Sequence, residues 1–242
     1  MEHGPVCPLE VPDPIMLHRW DRLAFLHWSF EPAAVQRLLP SWLEVEPWEG
    51  RAWVGLVPFF MEVSTGGGIN GGWASNFLET NVRTYVRDAQ GRTGIWFFSL
   101  DAARLGAVLV ARATYRLPYF WTDLELDLHP DEVRYDARRR WPGPRGARSH
   151  AHLRLGDPYA TQDLTTFDHY LTARWTLFSS SDEGRRRRYA DAWHAPWELR
   201  RAEVIEVDDE LVAAAGLPRP TDAPIVHWSE GVAVRIGRPQ KP

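Results

Sequence analysis

The sequence predicts an α+β fold, mainly β, built on one strongly curved antiparallel sheet with a few flanking helices. Three observations carry that reading. Short apolar or alternating runs recur along the chain with Gly, Pro, Asn and Asp punctuation between them, the pattern of strands and hairpins. Runs of strand character outnumber helical ones by about two to one, which favours helices set around a sheet over a helical bundle. A sheet of that many strands cannot stay flat and must curl or partly close into a barrel or cone. The 242 residues suit a single domain with a folded core over about 15–237, an arm over 1–14 and a tail over 238–242.

The elements follow in order. The arm is proline-punctuated from Pro5 to Pro14. Pro32 is a good first-turn residue for a helix over Ala33–Leu39, which Pro40 stops. Arg51–Val63 reads as strand, split at Pro58. Asn76–Val86 and Gly94–Leu100 read as a hairpin around Asp88-Ala89-Gln90-Gly91. Gly66–Gly72 lacks the Gly-Lys-Ser/Thr ending of a phosphate loop and reads as a flap between strands. Ala102–Arg116 reads as a helix with Asp101 as its N-cap, ending before Pro118. Thr122–His129 and Val133–Arg139 flank the Pro130-Asp131 turn, and Ala147–Leu155 alternates. Thr165–Leu171 is a short helix, and Asp209–Ala215 another that ends at Gly216. Arg185–Arg188 follows a turn and belongs to a hairpin strand. Ile225–Trp228 and Val232–Ile236 read as strands that close around Ser229-Glu230-Gly231.

Composition excludes several classes of function. With 32 acidic and 28 basic residues the formal net charge is −4, unlike a nucleic-acid binder. One cysteine, Cys7, excludes an intrachain disulfide and a cysteine-rich metal site. No apolar run reaches the length of a membrane span and Met1–Glu10 lacks a signal pattern, so the expected compartment is the cytoplasm with no membrane partner. His150 and His152 share a strand face without a third ligand nearby, so no metal is expected. No Gly-x-Ser-x-Gly elbow occurs, and no cofactor is expected. Of the 28 basic residues the only lysine is Lys241, in the tail. Arginine does not form a Schiff base, so imine chemistry on a lysine is nearly excluded.

The most informative segment is Phe77–Val86. Strand alternation puts Phe77, Glu79, Asn81, Arg83 and Tyr85 on one face and Leu78, Thr80, Val82, Thr84 and Val86 on the other. The second face is the expected core. The first carries an acid, an amide and a guanidinium framed by aromatics, which is the composition of a pocket if that face lines a barrel lumen. Along the expected helix, Leu105, Val108, Leu109 and Arg112 share one stripe, so Arg112 needs a carboxylate or a ligand anion, with Glu79 and Asp101 as partners within the protein. The expected site therefore has Glu79 as acid or base and His194, in His194-Ala195-Pro196-Trp197, as a second candidate. Asn81, Arg83 and Arg112 would hold a small, carboxylate-like molecule between Tyr85, Trp96, Phe98 and Tyr119. The other reading is a non-catalytic module in which the same charges form a structural network. A homo-oligomer is compatible with either.

Several of these motifs occur together in a known order. Phe25-Leu26-His27-Trp28, Val57-Pro58-Phe59, the Glu-x-Asn-Val-Arg-x-Tyr-Val block from Glu79, Trp96-Phe97-Phe98-Ser99-Leu100-Asp101-Ala102, Ala111-Arg112, Leu117-Pro118-Tyr119 and His194-Ala195-Pro196-Trp197 resemble the YqjF-like family of bacterial proteins (domain of unknown function 2071). The resemblance runs from about Trp20 to Ile236 and brings no established activity with it. That family is in turn distantly similar to acetoacetate decarboxylase. This implies a curved, partly closed antiparallel β-barrel or cone around an acidic and basic pocket, with Glu79 at the place of the decarboxylase's pocket glutamate. The decarboxylase's lysine pair has no counterpart, because Ser99–Arg112 contains no lysine. The resemblance thus extends to fold and pocket position and leaves out Schiff-base decarboxylation.

Overall fold

The computed structural model describes residues 3–69, 75–114, 117–181 and 186–242; for residues 110, 111, 113, 114 and 181 only the backbone is described. The elements are β1 (Met16–Phe30), α1 (Pro32–Gln36), β2 (Leu43–Val45), β3 (Ala52–Thr65), β4 (Asn76–Asp88), β5 (Thr93–Ala102), α2 (Leu105–Thr114) and β6 (Tyr119–Leu128). They continue with β7 (Glu132–Trp141), β8 (Arg148–Pro158), α3 (Thr166–Thr172), β9 (Thr176–Ser181), β10 (Arg186–His194), β11 (Leu199–Asp209), α4 (Leu211–Ala214) and β12 (Ile225–Ile236). No described helix is long and apolar enough to cross a membrane.

The strands form one mainly β, strongly curved sheet whose pairings close twice. The larger ring runs β5-β6-β7-β8-β11-β12-β1-β3-β4 and back to β5. The smaller one runs β5-β9-β10-β12-β1-β3-β4 and back to β5. Strands β12, β1, β3, β4 and β5 belong to both, because two strands add successively to each outer edge. On β5, Ile95–Trp96 pair with β9 and Leu100–Ala102 with β6. On β12, His227–Ser229 pair with β11 and Val234–Ile236 with β10.

Each ring has its own core, so the shared strands are buried on both faces. Ala24, Leu26 and Trp28 of β1, Val54 and Leu56 of β3, Val82 of β4, Tyr135 of β7, Leu153 of β8 and Trp228 of β12 fill the larger ring. At about 1.5–3 kcal/mol for each fully buried large side chain, that lumen is a main source of stability. Phe25 of β1, Val57 and Phe59 of β3, Phe77 of β4, Ala192 of β10, Trp197 between β10 and β11, and Val234 of β12 pack in the smaller ring. The arm joins the body, with Val11 buried and His3 3.4 Å from Glu46.

Several sequence expectations are corrected. The sheet is not wholly antiparallel: β5 runs parallel to β6 and to β9, because the chain between β5 and β6 crosses over through α2 and returns in the same direction. Strand β3 does not split at Pro58. That residue faces Thr80 on one side, and on the other β1 loses register between Asp21 and Leu26, where Arg22 adopts φ 51°. A proline without an N–H fits where the neighbouring ladder is already interrupted. Asp101 is not a helix cap but part of β5, and α2 begins only at Leu105. Strands β1, β2, β9 and β11 are additions to the sequence reading, and Ile225–Ile236 is one strand, paired with β1 through Ser229 and Gly231 rather than turning there. The short helix near Thr165 is present, with Thr165 and Asp168 forming a reciprocal capping box at its start. Three expected features extend outside the described residues: the Gly66–Gly72 flap beyond residue 69, Arg185, and the helix end at residues 115–116.

Candidate functional site

Glu79, Asn81, Arg83 and Tyr85 share the face of β4 that looks into the smaller ring, beside Phe59, Val57 and Gly55 of β3. All four are buried, with Glu79 only 2% exposed and Asn81 and Arg83 6% each. Four residues of strand span roughly 13 Å, so Glu79 and Arg83 do not neutralise each other. The Arg83 guanidinium lies 5.3 Å from the Phe25 ring centroid and 6.0 Å from that of Tyr85. Its Nη2 donates to the Leu171 carbonyl at 3.4 Å, a further hydrogen bond joins it to the Tyr85 side chain, and Nε has no partner. Among the described residues no carboxylate is paired with it. An isolated buried cation is costly to hold, because guanidinium does not shed its proton to escape the cost.

Beyond Arg83, the Tyr85 hydroxyl donates to the Leu171 carbonyl and lies 2.6 Å from His27 Nε2. The single hydroxyl proton is used on Leu171, so His27 must donate from Nε2, which leaves Nδ1 with a free lone pair. His27 Nδ1 is buried and has no partner. Burial, reinforced by Arg83, His227 and Arg174, holds this imidazole well below its usual pKa, so it is neutral. Gly55 makes the arrangement possible: a Cβ there would lie 2.8 Å from His27 Nε2. Helix α3 covers this end of the ring. Asp168 binds His227 at 2.8 Å, Trp197 Nε1 donates to the Thr172 carbonyl at 3.0 Å, and Tyr170 donates to the Glu46 carbonyl at 2.6 Å. Arg174 pairs with Glu46 at 2.6 Å but keeps Nη2 unpartnered. Burial opposes ionisation of Glu46, yet hydrogen bonds from His3 and Arg174 bring its pKa down to about 2.

At the other end, burial pushes the Glu79 carboxyl up to about 8, against hydrogen bonds from Tyr119 and Asn81 that favour ionisation. Nearby Asp101 raises it further. Glu79 is therefore mostly protonated at neutral pH, a state that can give or take one proton. Its Oε2 and the Oδ1 of Asn81 are buried without partners. His194 Nδ1 donates to the Ala195 carbonyl at 2.7 Å, and the ring packs 4.4 Å from Trp175 and 4.9 Å from Trp197. Burial brings its pKa to about 4.

The expected constellation is split. Arg112 meets neither Glu79 nor Asp101; its Nη1 donates to the Tyr119 carbonyl at 2.6 Å and its guanidinium lies 5.4 Å from the Trp141 ring. The stripe that was to bury it is not a core face, since Leu105 and Leu109 are 40% and 49% exposed and only Val108 is buried. Trp96, Phe98 and Arg112 line another cleft with Leu117 and Pro118. A bulge at Phe98, between the pairs Val82–Ser99 and Arg83–Phe97, shifts the alternation of β5 away from that of β4. Asp101 instead pairs with Arg139 inside the larger ring, accepting from Nε at 2.8 Å and Nη2 at 2.7 Å. Tyr119 does reach Glu79. His150 and His152 bind Asp136 and Glu132, each at 2.8 Å, and no metal-ligating group of three or more occurs among the described residues. His27 and Phe25, which the sequence singles out only within the Phe25-Leu26-His27-Trp28 motif and not as site residues, and the Leu171 carbonyl are further members of the cluster.

A cleft of about 730 Å³ adjoins the cluster, lined by Tyr159, Leu164, Thr172, Ala173 and Trp197 among others. Trp197 packs edge-on against Phe25 at 5.2 Å, so Trp197 and Phe25 separate this cleft from Arg83.

Over residues 18–233 the chain matches the DUF2071 family, described as an uncharacterized conserved protein. The chain belongs to this family. It is 32% identical over 232 residues to the uncharacterized protein YqjF of Bacillus subtilis (strain 168), covering 92% of this chain and 91% of that one. Among solved structures, the enduracididine biosynthesis enzyme MppR complexed with pyruvate superposes with a TM-score of 0.64 at 12% identity, over 97% of this chain and 92% of that chain. An acetoacetate decarboxylase-like enzyme from Sphingomonas wittichii RW1 gives 0.64 at 13% identity, over 97% and 95%. This family member therefore has the acetoacetate decarboxylase-like fold.

Proposed function

We propose that the smaller ring binds a small organic acid, with Arg83 taking the carboxylate and protonated Glu79 acting as the acid or base at the other end of the molecule. The observation that supports this most is Arg83 itself, a buried guanidinium with no carboxylate partner among the described residues and an unused Nε–H. A monoanionic ligand would neutralise that charge with a charge-assisted pair. Asn81, between them on β4, and Tyr119 beside Glu79 would position the acid, and Tyr85 and Phe25 would wall it. His194 stands further along the same ring as a second proton carrier. A structural neighbour of the same fold is complexed with pyruvate, itself a carboxylate. Any chemistry here proceeds without an imine, because Lys241, the only lysine, lies beyond β12.

One contact favours a second reading, a binding or interaction module without chemistry. The Leu171 carbonyl, in the last turn of α3, accepts from Arg83 and Tyr85, and a cation at a helix C-terminus is stabilising. In that case Arg83 would fasten α3. A thermal-shift panel separates the two. Acetate, propionate, butyrate and lactate should each raise Tm while the matching neutral amides do not, by up to about 2.7 kcal/mol in stability at a hundredfold excess over Kd. Equal, negligible shifts for acids and amides would leave only the fastening role.

A further inference from the structure

We infer that the acid bound in the smaller ring carries a hydroxyl group, so that its ligands are short hydroxy acids in preference to keto acids, amino acids or plain fatty acids. This rests on the small-acid reading above and concerns the polar atoms that a carboxylate alone leaves unanswered. Arg83 Nε is a donor and takes the carboxylate. The other unpartnered atoms near it are not all donors. Asn81 uses its amide N–H on Glu79, which turns Oδ1 away, and Oδ1 is buried with no partner. His27 uses its proton on Tyr85, leaving Nδ1 as an acceptor, also buried with no partner. Both sites can be satisfied only by a hydrogen-bond donor on the ligand.

Each class of small acid meets that requirement differently. A keto group only accepts, and an alkyl chain does neither, so both leave Asn81 Oδ1 and His27 Nδ1 dry and unpaired. An ammonium group donates, but it makes the ligand a net-neutral zwitterion. It would leave the net charge that Arg83 brings to the site uncompensated and put a third cation beside Arg83 and Arg174, both of which are buried. A hydroxyl is neutral, donates one bond and accepts others. It can donate to an unpaired acceptor and also accept from the unpartnered Oε2 of protonated Glu79. A site built to bond a ligand hydroxyl rejects analogues without it strongly, because its own buried polar atoms are then stranded.

The test is calorimetric titration of the full chain with two matched sets, β-hydroxybutyrate, acetoacetate, β-aminobutyrate and butyrate, then lactate, pyruvate, alanine and propionate. In at least one set the hydroxy acid should bind about 10- to 100-fold more tightly than its three analogues. In Asn81→Leu that advantage should shrink to within about threefold, with the carboxylate still bound. Keto or plain acids that bind as tightly as the hydroxy acid in both sets would overturn this inference and leave the small-acid reading standing. No binding by any acid of either set would overturn both.

Discussion

Asp101→Asn should lower stability by about 3–5 kcal/mol, the usual cost of removing one member of a buried ion pair. Asp101 and Arg139 are 0% and 1% exposed, and the carboxylate also accepts from Thr122 Oγ1 at 2.7 Å and Ser99 Oγ at 2.9 Å. Four donors converge on one carboxylate inside an otherwise apolar ring. Asparagine keeps the shape but turns an N–H₂ toward donors and leaves the guanidinium, stacked 3.8 Å from the Phe120 ring, without a counter-charge. Arg139→Met should cost a similar amount by stranding the carboxylate. The double replacement Asp101→Leu with Arg139→Met should recover much of the loss, since a well-packed apolar pair can equal a buried ion pair. Urea unfolding followed by tryptophan fluorescence measures all three. Single-variant losses below about 1 kcal/mol would mean that water reaches the pair.

Glu79→Gln should change how stability depends on pH. The folded carboxyl titrates near 8 and its reference value is 4.5. Between those values the folded chain holds a proton that the unfolded chain has released. Stability due to this group is therefore complete below about 4.5, falls by about 1.4 kcal/mol per pH unit as pH rises, and is gone above about 8. Glutamine accepts the same bonds from Asn81 and Tyr119 and does not titrate. Wild type should thus lose stability relative to the variant steadily between pH 5 and 8, by several kcal/mol in all. The carboxylates of Glu46 and Asp168, held low despite burial by their hydrogen-bonding partners, lose their contribution at acid pH in both proteins and cancel in the comparison. Parallel pH profiles for the two proteins would show that Glu79 is ionised in the fold.

What the sequence revealed follows from where its signals are local. The hairpin of β4 and β5 was legible because both strands and their turn lie within 27 residues of one another, and the two-faced pattern from Phe77 to Val86 located the polar cluster. The opposite face, expected as core, is core: Val82 and Thr84 are fully buried, and β4 is interior on both sides. Strand β1 escaped because Leu23–Trp28, nearly all apolar, does not alternate when both faces are buried. The partners of Asp101 and Arg112 depend on pairings between β5, β6 and β7 and on a bulge at Phe98, which no spacing along the chain encodes. His27 became a site residue only through its register opposite Gly55, and Leu171 through a backbone carbonyl, a group every residue carries. The missing lysine, by contrast, was decided by composition alone.

The measurement that bears most directly on the small-acid site is the melting of Arg83→Met beside wild type, with and without saturating butyrate and β-hydroxybutyrate. If Arg83 awaits an anion, replacing an unpaired buried cation by an apolar side chain of similar reach removes a desolvation cost. The variant should then melt at or above wild type when free, and neither acid should raise its Tm, while at least one raises that of wild type. A variant less stable by about 3 kcal/mol or more, together with a wild type whose melting neither acid moves, would contradict the account and make Arg83 a fastener for α3.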